Sequence, residues 1–222
     1  MKSALLALEL SSGTSSVAVV LPDKDGQLNF HQRSFGGERG RALIHEIDQL
    51  LNECELSRAI LGGILVGIGP GSYTGLRIAC AAAHTLGLAL GIPYAGLGSF
   101  EVAALSAPEG TNKIQILQDA YRQEAYYAIL ERTGNDVQLV HGPEVIAISQ
   151  IPVEATTNDH WLVFDPRMRK HLDRQEDMSF SPTAENLLRL ALARGVQLDG
   201  KGLEGFPTAE PLYLRAAAFR SK

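Results

Sequence analysis

The stretch Val66-Gly67-Ile68-Gly69-Pro70-Gly71-Ser72-Tyr73-Thr74-Gly75-Leu76-Arg77 decides how this chain is read. An apolar run enters it and a long, small-residue helix pattern leaves it, so it is a strand-to-helix crossing. Its four glycines and one proline let the backbone turn tightly and bring several N–H groups toward one point. What such a turn holds is the functional question.

Upstream of the turn, residues 60–68 read as a buried strand. Downstream, the spacing predicts a helix from Tyr73 to about Leu90, stopped by Gly91 with Pro93 two residues on. That helix is apolar almost all round and rich in small residues: Ala79, Ala81, Ala82, Ala83, Gly87 and Ala89. It needs cover on more than one side. Ala79, Ala83 and Gly87 recur every fourth residue as a flat strip, which suits either close packing on the chain's own sheet or the close approach of another helix. An amphipathic helix precedes the strand from about residue 38, with Leu43, Ile47, Leu50, Leu51 and Cys54 on one face.

Farther out, residues 4–10, 16–21 and 27–34 read as three antiparallel strands, the first two joined by Ser11-Ser12-Gly13-Thr14-Ser15. In the second half a short helix is expected over residues 100–105. Strands follow over 113–117, 124–132, 136–140 and 161–164, then a helix opening at Ser181-Pro182-Thr183-Ala184-Glu185 and running to about Arg194. This order predicts an α/β chain of two lobes, residues 1–98 and 99–222, with the tail packing back on the first lobe.

The 222 residues carry a formal charge of −5 with 45% hydrophobic and 20% charged side chains, a globular composition. The negative balance argues against the chain alone gripping a polyanion. Cys54 and Cys80 both fall in helix patterns and read as reduced core thiols. Glu9 breaks the first apolar run early, and no run reaches the roughly 20 apolar residues of a membrane span, so a cytoplasmic enzyme or complex subunit is expected.

Chemical motifs are sparse. The glycine turn lacks the Lys-Ser/Thr ending of a P-loop, and Ser72 stands where a dinucleotide fingerprint starting at Gly67 needs its third glycine. Ser72 and Thr74 suit helix capping. The histidines His31, His45, His84, His141, His160 and His171 include no pair three or four apart, so no metal clamp is legible, and no G-x-S-x-G elbow is present. Asp119, Arg122 and Glu124 form either an acid–base pair with a cation or a surface ion-pair cluster. Arg167-Met168-Arg169-Lys170-His171 is a short basic segment, suited to RNA phosphate or to solvent. No catalytic residue is assigned.

Gly69-Pro70-Gly71-Ser72-Tyr73-Thr74-Gly75-Leu76-Arg77-Ile78 closely resembles the GPGS-[FY]-TGLRIG signature of the TsaB family. Residues 5–20 are similar to that family's LAIDTS…SVAL. Asp119-Ala120 with Glu124 and Tyr126 is similar to its DAR-x-x-E-x-Y, and Tyr213-Leu214-Arg215 to its YLR. The resemblance implies an actin-like ASKHA fold of two lobes. It also implies a non-catalytic dimerisation subunit for the TsaD transferase, with the ATPase TsaE as third component, in threonylcarbamoylation of the adenosine beside the tRNA anticodon.

A bundle of the first two helices is then the expected interface, through Leu43, Ile47, Leu50, Leu51, Ala79, Ala82, Ala83, Leu86 and Gly87; alone, the same face predicts a homodimer. Transfer RNA would be met only through the complex. Ser11, Gly69, Gly71 and Ser72 would line a vestigial nucleotide site, with no metal and no cofactor. Four positions depart from the family: Glu9-Leu10-Ser11 replaces Asp-Thr-Ser, changing residues 9 and 10, Tyr121 replaces an arginine and Ala79 a glycine. The alternative class is an ATP-binding ASKHA phosphotransferase or a peptidase-like enzyme.

Overall fold

In the computed structural model, which describes residues 3–36, 39–151, 159–163, 168 and 181–214, the first apolar runs form a meander of β1 (Ala4–Glu9), β2 (Ser15–Pro22) and β3 (Leu28–Phe35). α1 (Arg39–Glu53) follows, then β4 (Leu61–Gly67), α2 (Tyr73–Leu90) and β5 (Tyr94–Leu97). The sheet order is β3-β2-β1-β4-β5, with β1, β4 and β5 parallel and Leu8 beside Val66. Both β1 and β4 are buried from end to end, the pattern of strands covered on both faces.

After α3 (Ser99–Ala104), a second sheet repeats the plan: β6 (Lys113–Asp119), β7 (Glu124–Thr133) and β8 (Asp136–Ala147) form a meander, and β9 (Asp159–Val163) runs parallel to β6. Its order is β8-β7-β6-β9. The chain then returns to the first sheet with α4 (Ala184–Ala193), capped by the Thr183 hydroxyl accepting from the Asn186 N–H at 3.1 Å.

Alternation along β1 divides the first core. Leu6, Leu8 and Leu10 join α1 and α2, whereas Leu5 and Ala7 join α4 on the opposite face. Phe100, Ala103 and Ala104 of α3 pack with the second sheet while Val102 packs with α4, so α3 is the wedge between the sheets.

Three segments differ from expectation. β5 has four residues, too short to show a period. β8 runs seven residues past Val140, because Gly142-Pro143 is absorbed where the β7 register shifts. β9 begins two residues early; Phe164, like Glu38, lies outside the described residues, as do Arg167, Arg169, Lys170, His171 and Arg215. No helix among the described residues is long and apolar enough to cross a membrane.

Candidate functional site

The turn after β4 closes on itself. Gly67 stands beside Glu9, and a Cβ there would lie 1.9 Å from Glu9 Oε2. Glu9 is fully buried: its Oε1 accepts from the Ser11 N–H at 2.7 Å and its Oε2 from the Ser99 hydroxyl at 3.0 Å. Ser99 Oγ in turn accepts the Gly69 N–H at 3.1 Å. The Ser72 N–H goes to the Ser11 carbonyl at 2.7 Å, over Gly71, where a Cβ would come within 2.3 Å of the same oxygen.

Ser11, Gly69, Gly71 and Ser72 are thus brought together, yet the N–H groups of Gly69 and Ser72 are spent inside the chain. The Ser72 hydroxyl caps α2 by accepting from the Gly75 N–H at 3.2 Å. Burial pushes the Glu9 carboxyl above its ordinary pKa, against the opposing hydrogen bonds from Ser11 and Ser99. The Ser11 hydroxyl lies beside that carboxyl outside hydrogen-bond geometry, and Ser11 Oγ is buried with no partner among the described residues. Sequence reading could not find the Glu9–Ser99 bond, which joins residues 90 apart.

The residues expected at the helical interface divide between core and surface in the single chain. Leu43, Ile47, Leu50 and Leu51 are buried in the core beneath α1, and Ala79, Ala83 and Gly87 in the core beneath α2. The strip is used for packing on the chain's own sheet. Gly87 is glycine because the Tyr94 ring of β5 lies over it, where a Cβ would meet Tyr94 Cδ1 at 2.2 Å. Ala82 and Leu86 are only partly buried. The outer face of α2 presents Tyr73, Thr74, Arg77, Ala81, His84, Thr85, Leu88 and Ala89. Leu88 is 67% exposed, and Ile44 on α1 is 54% exposed.

At the start of α2, Arg77 donates to the Tyr73 hydroxyl at 2.6 Å with its guanidinium 5.3 Å from that ring, and Tyr213 packs on Tyr73 at 5.1 Å between centroids. The result is an exposed aromatic cluster with one cation.

Other candidates find structural uses. Burial pushes the Cys80 thiol up to about 12, so it is a core thiol and no nucleophile at neutral pH. His84 Nδ1 is 2.6 Å from the Tyr94 hydroxyl and His141 Nε2 is 2.7 Å from Glu144 Oε1. Among the described residues no three His, Cys, Asp or Glu side chains are grouped to hold a metal. Asp119 Oδ1 accepts the Tyr121 N–H at 2.7 Å, and Arg122 makes no ion pair among the described residues.

The profile of the family described as TsaD, tRNA N6-adenosine threonylcarbamoyltransferase, matches residues 39–201. The chain belongs to the TsaD family. Within it, the chain is similar to the TsaB proteins. It is 26% identical over 223 residues to the tRNA threonylcarbamoyladenosine biosynthesis protein TsaB of Escherichia coli K12, covering 95% of this chain and 94% of that one. It is 29% identical over 231 residues to the Haemophilus influenzae TsaB, covering 95% and 93%. The solved structure of YeaZ from Pseudomonas aeruginosa superposes with a TM-score of 0.78 at 25% identity, covering 96% of this chain and 100% of that one. The fold is the actin-like ASKHA fold of this family, and the paired mixed sheets are its two halves.

Proposed function

We propose that this TsaD-family chain is a non-catalytic scaffold subunit in tRNA threonylcarbamoyladenosine formation. It acts by binding and activating a TsaD-like transferase that modifies the adenosine next to the anticodon. The observation that carries this reading is the outer face of α2, where Arg77 is the one formally charged side chain along eighteen residues. A helix face that met only water would carry more charge than this. The face runs through Ala81, Ala82, Thr85, Leu86 and Leu88, and small residues at its centre allow a partner helix to come close.

Further support comes from the turn. Its internal bonding leaves Gly69, Gly71 and Ser72 as the frame that launches and aims α2. Without its transferase the chain pairs with a second copy through the same face. A TsaE-like ATPase is the third component, tRNA is reached only through the complex, and the setting is the cytoplasm.

The test is Leu88→Glu. Leu88 is mostly exposed, so the variant should fold normally. Titration of the transferase from the same organism into wild type and variant should show affinity reduced at least tenfold, about 1.4 kcal/mol. Equal affinity of a folded Leu88→Glu chain would overturn the assignment of this face.

A further inference from the structure

The connection from β6 to β7 carries three consecutive non-glycine residues with left-handed backbone: Tyr121 at φ 61°, Arg122 at 57° and Gln123 at 63°. L-residues do not drift into such a run; something has to hold it. Here Asp119 Oδ1 accepts the Tyr121 N–H at 2.7 Å and the Glu124 N–H closes on the Tyr121 carbonyl at 3.1 Å. The Ala120 N–H reaches the Glu124 carbonyl at 3.0 Å, and the Ile148 N–H anchors the Gln123 carbonyl at 3.0 Å. All four bonds fix backbone. The side chains face solvent, with Tyr121 68% exposed and Arg122 making no ion pair among the described residues, on a chain of net charge −5.

The turn also stands at a defined place. Gln118 Nε2 reaches the Ser11 carbonyl at 3.4 Å, the same oxygen that takes the Ser72 N–H. The rigid turn is therefore at the end of the molecule where α2 begins with Tyr73 and Arg77. We propose that the Asp119-capped turn is a second contact for the partner protein, taking an acidic segment of it against Arg122 and Tyr121. This rests on the scaffold reading and adds to it a contact away from the Ala81–Leu88 face.

Three arguments favour an acidic protein segment. Tyrosine and arginine are the residue types that dominate protein–protein binding energy. A carboxylate brought to Arg122, which holds no acid among the described residues, makes charge-assisted hydrogen bonds. Because the turn is already ordered, little entropy is lost on docking. An RNA occupant would need a denser positive field than one or two arginines on an acidic chain supply. Asp119 is then a positioning residue, acting through the backbone it caps.

The test uses the full chain and the transferase from the same organism in calorimetric titrations at low and high salt. Arg122→Glu should weaken binding at least tenfold and flatten its salt dependence. Asp119→Ala should weaken it severalfold, and adding Gln123→Gly, which keeps the left-handed backbone without strain, should restore part of the loss. Far-UV circular dichroism melts confirm that each variant is folded. If Arg122→Glu binds like wild type while Leu88→Glu does not, the turn is no contact and the scaffold reading stands. Failure of the wild-type chain to bind overturns both. If Arg122→Glu leaves the transferase untouched but lowers retention of tRNA, the occupant is RNA and this proposal is overturned.

Discussion

Glu9 is a carboxylic acid closed in by Gly67, Ser11 and Ser99, and burial outweighs the hydrogen bonds it accepts. The sign of its effect follows. Its pKa is raised from 4.5 on folding, so the folded chain holds the proton more tightly than the unfolded one. Its contribution to stability is then fully present below the unfolded value and is lost as pH rises toward the folded one. Glu9→Gln keeps an oxygen for the Ser11 N–H and carries no charge. The variant should match wild type near pH 4 and melt at a higher temperature than wild type at pH 7 to 8, a gap that scanning calorimetry across this range reads directly. A gap that reverses toward neutral pH contradicts the account. At the same scale, Tyr121, Arg122 and Gln123 hold about 1–2 kcal/mol of backbone strain each, which the Asp119 cap offsets together with the three backbone bonds of the turn.

At the scale of the element, α2 has two faces of similar composition and opposite use. Ala83 is fully buried against the first sheet while Leu88 faces out. Ala83→Glu therefore places an unpaired charge in the core and should cost about 3–5 kcal/mol, seen as a large drop in melting temperature, whereas Leu88→Glu should move it little. Equal melting temperatures would mean that the helix is rotated from the position described.

The bounds of α2 were legible because Ser72 and Gly91 are strong start and stop signals and the strand-to-helix change of period is sharp. Which face turns inward was not legible: Ala79, Ala83 and Gly87 serve a sheet as well as a partner helix. The deciding neighbour, Tyr94, sits in a strand of four residues. The far end of β8 was hidden for a related reason, since Gly142-Pro143 reads as a break unless the partner strand is known to shift register. The left-handed run at Tyr121 had no signal at all, because nothing in Ala-Tyr-Arg-Gln favours positive φ. Resemblance through Gly69–Ile78 identified the family where local chemistry was silent.

For the whole molecule, the two sheets must be held in fixed relation if α2 and the turn at Tyr121 are to meet one partner together. Much of that task falls on Arg194, at the end of the helix that covers the back of the first sheet. Its Nη2 donates to Glu101 Oε1 of the wedge helix α3 at 2.8 Å, its Nε to Asp136 Oδ1 at the start of β8 at 2.9 Å, and the same guanidinium reaches the Val137 carbonyl. The side chain is only 24% exposed, so these bonds are shielded from salt more than surface pairs are. Arg194→Ala leaves the half-buried Glu101 carboxylate and the Val137 carbonyl without this donor, at a cost of about 2–3 kcal/mol. Arg194→Lys, with a compact ammonium in place of the fork, can satisfy one or two of the three acceptors and should recover less than half of the loss. Urea unfolding followed by circular dichroism should show the midpoint of Arg194→Ala shifted down. If Arg194 is the principal tie, the slope also falls, as the second sheet loosens before the first. An unchanged midpoint would place the coupling of the two sheets in the apolar contacts of α3 instead, around Phe100 and Val102.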